Sequence, residues 1–169
     1  PLFCQACWKQ TKYNSAPLEP SASQDFLSML RDAKASDALI VFVVNLFSFE
    51  CSLVPEVCRI LEGLKLLVLA NKRDLLPKKA DDSSLRKYVS QRFRKARLSV
   101  SENDVCLISL RSDLNVDRVV SRMQKERQGH DVYVIGAAGA GKTIFVNAFL
   151  RSYANPSSRA IGIGPNSAS

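Results

Sequence analysis

Eight consecutive residues, Gly136, Ala137, Ala138, Gly139, Ala140, Gly141, Lys142 and Thr143, spell G-x-x-x-x-G-K-[ST]. Each residue type in that pattern has a physical task at a phosphate. Glycines let backbone N–H groups curl round a β-phosphate, the start of a following helix adds its positive end, Lys142 reaches the β- and γ-oxygens, and the Thr143 hydroxyl ligates magnesium. Lys142 and Thr143 are therefore the candidate catalytic pair. The pattern lies where this chemistry needs it, after a short β-branched run at Asp131–Ile135 and before a helical pattern at Lys142–Tyr153. The bland alternative is a glycine-rich turn capping a helix.

A phosphate loop does not say which base is held. Asn71, Lys72, Arg73 and Asp74 spell N-K-x-D directly after the apolar run Lys65–Ala70. Guanine alone offers an N1–H and an N2 amino group on one edge, and the Asp74 carboxylate can accept both. Asn71 would tie this loop to the phosphate loop, and the Lys72 stem would lie along the base. Ser109 ends a further strand, and the backbone N–H after it, that of Leu110, is the candidate donor to guanine O6. A small residue is usual at that position, whereas Leu110 and Arg111 stand here. A polar turn ending a strand is the plain reading of either segment alone. An ATP-using P-loop enzyme would share Gly136–Thr143 without needing Asp74.

The elements that must position these loops alternate along the chain. Runs at Ala38–Val44, Lys65–Ala70, Asp104–Ser109 and Asp131–Ile135 show little inside-outside alternation, as strands covered on both faces do. Helical periodicity falls at Ser23–Ala35, Leu53–Leu64, Ser84–Leu98, Asn115–Gln128 and Lys142–Tyr153. Strand-helix alternation of this kind predicts a three-layer α/β fold with a parallel sheet. The expected strand order is Asp131–Ile135, Ala38–Val44, Lys65–Ala70, Asp104–Ser109, with both loops at the carboxyl edge. Residues 1–22 read as a turn-rich lead-in carrying Cys4 and Cys7, residues 23–155 as the nucleotide-binding domain, and 156–169 as a tail rich in small and polar residues.

With 169 residues, 46% of them apolar, the chain has enough for one such domain. Its longest apolar stretch, Ala38–Val44, is far too short to span a membrane. Five cysteines, an odd number in a chain that needs no staples, point to a reducing intracellular compartment. The net charge is +8. Between Lys78 and Arg97 eight basic residues face two acidic ones, so most of the excess lies on one helical pattern. Arg86, Lys87, Arg94, Lys95 and Arg97 project away from its apolar side and suit RNA phosphates; a solvated helix face is the plain alternative.

In ordinary GTPases the phosphate loop comes first, whereas here Asn71–Asp74 and Ser109 precede it. With that order, V-V-N-L-F-S-F at Val43–Phe49, C-Q-A-C-W-K and K-Y-N near the start, and N-K-R-D-L-L-P-K at Asn71–Lys78, the chain resembles the circularly permuted GTPases of the YqeH type. These include the nitric-oxide-associated GTPases of mitochondria and their chloroplast relatives. The resemblance implies a factor that binds GTP or GDP with Mg²⁺, hydrolyses GTP and helps assemble the small ribosomal subunit, with ribosomal RNA as a partner. The place of action would be the bacterial cytoplasm, or a mitochondrion or plastid. A zinc module with two C-x2-C pairs belongs to the family pattern; Cys4 and Cys7 match one pair, half of a Zn²⁺ site. Gly139 stands where the family usually carries an Asn associated with potassium, which leaves potassium dependence open. The switch Thr and magnesium-binding D-x-x-G segment would follow Ser169. The expectation is therefore of a fragment that lacks outer strands and leaves Asp131–Ile135 on an exposed edge. Such a piece should bind guanine nucleotide weakly, with GTPase activity belonging to the longer protein. A non-enzymatic alternative is an RNA-binding scaffold with a vestigial nucleotide site.

Overall fold

A computed structural model of the chain describes residues 24–48 and 52–153. The expected zinc-module remnant with Cys4 and Cys7, the Ser23 helix start and the 156–169 tail lie outside the described residues.

Among the described residues four strands, β1 (Leu39–Asn45), β2 (Leu66–Asn71), β3 (Val105–Leu107) and β4 (Val132–Ile135), form one parallel sheet in the order β3-β2-β1-β4. This is the order expected from the sequence. Among the described residues five α-helices accompany them: α1 (Gln24–Ala35), α2 (Pro55–Leu61), α3 (Asp82–Lys95), α4 (Val116–Glu126) and α5 (Lys142–Tyr153). Every residue of β1 from Leu39 to Val44 and all six of β2 are buried. Unbroken burial is what a strand covered on both faces requires, and it explains why these runs lack alternation.

Successive side chains of β1 enter opposite cores. Ile40, Phe42 and Val44 pack with α1, α2 and α3, whereas Leu39, Val41 and Val43 pack with α4 and α5. In the first core the Phe42 and Phe93 rings meet edge to face at 5.3 Å and 88°; truncating a fully buried ring of this kind costs about 3–5 kcal/mol. The Lys34 ammonium donates to the carbonyls of Ile60 and Glu62, both at 3.0 Å, which ties α1 to the end of α2.

Some boundaries differ from the sequence expectation for identifiable reasons. Helix α2 is shorter than Leu53–Leu64, because Pro55 sets its first turn and Gly63 takes a left-handed φ of +84° after its end. Helix α3 starts two residues early, because the Asp81 carboxylate caps it by accepting from the N–H groups of Ser83 and Ser84. It ends at Lys95, and Arg97 takes a φ of +65° beyond it, so Arg97 is not on the helix as expected. Strand β3 is three residues long. Asp104 belongs to a short turn in which Ser101 and Asp104 cap one another, and Ser109 pairs with Leu114 in an antiparallel bridge. β4 lies at the sheet edge, as expected for Asp131–Ile135, and is only half-buried over Val132–Val134, although its composition alone reads as a strand covered on both faces.

Candidate functional site

The carboxyl ends of the parallel strands carry all the loops singled out by sequence. Asn71, the last residue of β2, is 5% exposed, and its amide engages both neighbouring loops. Nδ2 donates to the Ala140 carbonyl at 2.9 Å; Oδ1 accepts from the N–H of Lys72 at 2.8 Å and from that of Leu110 at 3.2 Å. One buried side chain thus joins Asn71–Asp74, Ser109–Leu110 and Gly136–Thr143, which are distant in sequence.

Backbone conformation makes that junction possible. Gly141 has a φ of +110°, and a Cβ there would lie 2.6 Å from Asn71 Nδ2 and 2.7 Å from Leu110 Cδ1. Gly136 has a φ of +150° and lies so close to β1 that a Cβ would meet the Val43 carbonyl oxygen at 2.1 Å. The glycines are required by close approach as much as by backbone freedom. From Ala138 to Thr143, only Ala140 spends its N–H on another backbone group, Ala137 O at 3.3 Å. The remaining N–H groups precede or open α5, the arrangement that attracts anions at a helix start.

The Lys142 ammonium lies across the inside of the same loop and donates to the carbonyls of Gly136 and Ala137, both at 2.9 Å. Burial pushes its pKa below the ordinary lysine value, because the charged form loses hydration. Thr143, one residue on, is exposed, and its hydroxyl makes no hydrogen bond among the described residues. An exposed hydroxyl in the first turn of a helix, beside a lysine and unspent N–H groups, fits the role of a magnesium ligand next to a phosphate.

At the other end of the site, Lys72 adopts a left-handed conformation, φ +72°, and opens a short turn over Arg73–Leu75. Asp74 lies in this turn and is exposed. Its neighbour Arg73 is occupied elsewhere: Nε pairs with Asp82 Oδ1 at 2.7 Å and a terminal nitrogen donates to the Ala80 carbonyl at 2.8 Å. The Arg73 N–H further donates to Ile108 O at 3.1 Å. Sequence reasoning gave Arg73 no role, yet it holds the turn and keeps its charge away from Asp74. The acidic residue nine positions on was the available signal.

Ser109 is fully buried, and its Oγ accepts from the Ser112 N–H at 3.2 Å. The Leu110 N–H, expected to face guanine O6, is directed to Asn71 Oδ1 here. Asn115 fixes the same loop from behind by donating to Leu107 O at 2.9 Å.

Arg86, Lys87, Arg94, Lys95 and Arg97 are all exposed, but they do not share one face. Arg86 borders a cleft of about 260 Å³ with Arg118 and Arg122, whereas Lys95 and Arg97 border a separate groove of about 370 Å³ with Arg59 and Glu62. Arg94 also serves the fold, its Nε donating to Val100 O at 3.2 Å. Among the described residues no cluster of three or more potential metal-ligating side chains occurs, and no helix is long and apolar enough to cross a membrane.

A parallel sheet with helices on both faces, a G-x-x-x-x-G-K-T loop between strand and helix, and an N-K-x-D loop joined to it define a P-loop-like α/β domain. The loop order is rotated relative to ordinary GTPases. No family model matches the chain. Among curated proteins it is 29% identical to YqeH of Bacillus subtilis over 150 residues, covering 89% of this chain and 40% of that protein. It is 37% identical to NO-associated protein 1, chloroplastic/mitochondrial, of Arabidopsis thaliana over 76% of this chain and 22% of the relative. It is 27% identical to nitric oxide-associated protein 1 of Mus musculus over 88% of this chain and 27% of the relative. Over most of its own length the chain is similar to YqeH and to the nitric oxide-associated proteins. It spans 40% or less of the length of each of these relatives.

Proposed function

We propose that this domain binds a guanine nucleotide and, within the longer proteins of its type, forms the GTP-hydrolysing part of a factor acting in small ribosomal subunit assembly. The observation that carries the reading is the 2.9 Å bond from Asn71 Nδ2 to Ala140 O, which sets the N-K-x-D loop beside the G-x-x-x-x-G-K-T loop at one sheet edge. A nucleotide lying along that edge would meet Asp74 at its base and Lys142 at its phosphates.

Each residue then has a defined task. The Asp74 carboxylate, undistracted by Arg73, accepts from guanine N1–H and N2, and the Lys72 stem covers the base. Leu110 N–H is shared between Asn71 Oδ1 and guanine O6. The N–H groups of Ala138, Gly139, Gly141, Lys142 and Thr143 face the β-phosphate, and Lys142, with two donors on the Gly136 and Ala137 carbonyls, directs its third to the phosphate oxygens. Mg²⁺, held by Thr143, would neutralise charge developing on the phosphates. Any zinc site would need further ligands besides Cys4 and Cys7. Action in a mitochondrion or plastid is the localisation this reading favours for a eukaryotic source; the printed name of the Arabidopsis relative supports it.

The test is equilibrium binding of fluorescent GDP and GTP against ADP and ATP. A clear preference for guanine is expected, and equal affinity or a preference for adenine would favour an ATP-using P-loop enzyme. A second reading, an RNA-binding scaffold, draws on the exposure of all five basic residues on and after α3. Charge reversal at Arg94 and Arg97 should then weaken RNA capture whether or not GTP is present, with a reduced salt dependence.

A further inference from the structure

Among the described residues β3 ends the sheet on one side, and its outer edge is only partly occupied. Cys106 and Ile108 turn their backbone groups toward β2, as the register Leu69↔Cys106 and the 3.0 Å bond from the Ile108 N–H to Ala70 O require. The backbone groups of Val105 and Leu107 therefore point away from the sheet. The Val105 N–H donates to Glu102 O, and Leu107 O accepts from Asn115 Nδ2 at 2.9 Å. The Leu107 N–H and the Val105 carbonyl have no partner among the described residues. Both residues line the cleft of about 260 Å³ between α3 and α4, although they are only 1% and 2% exposed. Backbone groups unpaired where water reaches poorly carry a penalty that a ligand in the cleft would relieve.

These two groups are the pair that a single residue of a further parallel strand would meet, its N–H on Val105 O and its carbonyl on the Leu107 N–H. A phosphate or other bare anion could accept from the N–H, but it would set its oxygens against the Val105 carbonyl. Charge then selects the side chains. Arg86 on α3 and Arg118 on α4 are exposed at this cleft and make no hydrogen bond or ion pair among the described residues. Arg122, the third arginine there, is already engaged by Glu126, Asp104 and the Asn103 carbonyl. Helices α3 and α4 pack on opposite faces of the sheet, so an added strand has one unpaired arginine on each side. We propose that this cleft docks an extended acidic segment of a partner protein, with one peptide unit paired to β3 and carboxylates reaching Arg86 and Arg118. Residues 1–23 contain one acidic residue, Glu19, and residues 154–169 contain none, so neither end of this chain supplies that charge. The proposal is independent of the guanine-nucleotide reading.

The probe is a fluorescein-labelled decapeptide of threonine and paired glutamates, which places carboxylates on both faces of a strand. It is titrated into the 169-residue chain beside its fully N-methylated form, its lysine-for-glutamate counterpart and an oligouridylate. The acidic peptide should bind, and Arg86→Glu and Arg118→Glu should each weaken it about fivefold. N-methylation, which removes the donor to Val105 O, should cost about fivefold as well. The Leu107 amide proton resonance should shift downfield on binding. Equal affinity for the N-methylated peptide, or an unmoved Leu107 resonance, means charge attraction alone and overturns the edge pairing. Stronger binding of oligouridylate that both arginine variants abolish assigns the cleft to RNA and overturns the proposal, as does no binding of the acidic peptide at about 1 mM.

Discussion

Asn71 and Ala140 are 69 residues apart in sequence, yet the Asn71 amide donates to the Ala140 carbonyl at 2.9 Å from a buried position. The same side chain accepts from Lys72 and Leu110, so one amide holds three loops with three of its four hydrogen-bonding directions used. Asn71→Ala would leave a buried carbonyl and a buried N–H without partners. The expected cost is about 2–4 kcal/mol, read by chemical denaturation, together with a loss of GDP affinity exceeding tenfold. A variant within 0.5 kcal/mol of the parent, about the spread of ordinary surface substitutions, would show that the junction carries no energy.

The three glycines of the Gly136–Thr143 loop should rank by what an added methyl meets. At Gly139, φ +72°, nothing lies within 4 Å, so Gly139→Ala should cost only the left-handed penalty of about 1 kcal/mol. Gly141→Ala presses on Asn71 and Leu110 side chains and should cost more. Gly136→Ala meets the Val43 carbonyl at 2.1 Å in the middle of the sheet, where no side chain can yield, and should abolish the folded state. Melting temperatures in the order Gly139→Ala, Gly141→Ala, Gly136→Ala, highest to lowest, check this ranking; a stable Gly136→Ala protein contradicts it.

What could be read from sequence follows from which forces are local. Strands β1 and β2 were legible because burial on both faces demands an unbroken apolar run, and Gly63 and Pro77 bracket β2. Their side-by-side order followed from the expectation that parallel α/β sheets gather ligand loops at the carboxyl edge, which brings Asn71 near Ala140. The end of β3 was not legible. Asp104 is taken by a mutual cap with Ser101, and Leu107 O by Asn115, and such side-chain competition leaves no periodic trace. Arg97 was placed on a helix because charge patterning continues past Lys95, whereas the chain turns left-handed there. The destination of the Leu110 N–H depends on three-dimensional proximity alone, and the Arg73 to Asp82 pair had only the spacing of its two charges as a trace.

Asp74 is exposed in a turn whose geometry Arg73 and Asp82 maintain, so Asp74→Asn should leave stability within about 0.5 kcal/mol of the parent. Its effect should appear in selectivity. An amide can donate where xanthine presents a carbonyl, and it no longer offers two acceptors to the guanine edge. Competition titrations should show guanine affinity reduced by at least tenfold and xanthosine diphosphate gaining. Unchanged guanine preference would remove Asp74 from the base-reading role, while a large loss of stability would mean that the turn depends on it directly.

Cys58, on the inner face of α2, offers a test of burial that does not depend on any ligand. Desolvation raises its thiol pKa from 9.0 to about 11. In the unfolded chain the thiol loses its proton from about pH 9 upward, while the folded chain keeps it, so the unfolded state binds fewer protons and stability falls with rising pH. Two pH units of this difference correspond to about 3 kcal/mol between pH 9 and 11. Cys58→Ala should be about 1–2 kcal/mol less stable than the parent at pH 7, from lost packing. It should also lack that part of the alkaline decline, so the two stability curves converge and cross as pH approaches 11. Cys106, whose pKa burial also raises, is common to both proteins and does not separate the curves. Parallel curves from pH 8 to 11 would mean that the α2 face opens to solvent under native conditions, and a thiol reagent at pH 8 would then label Cys58 at the rate of an exposed cysteine.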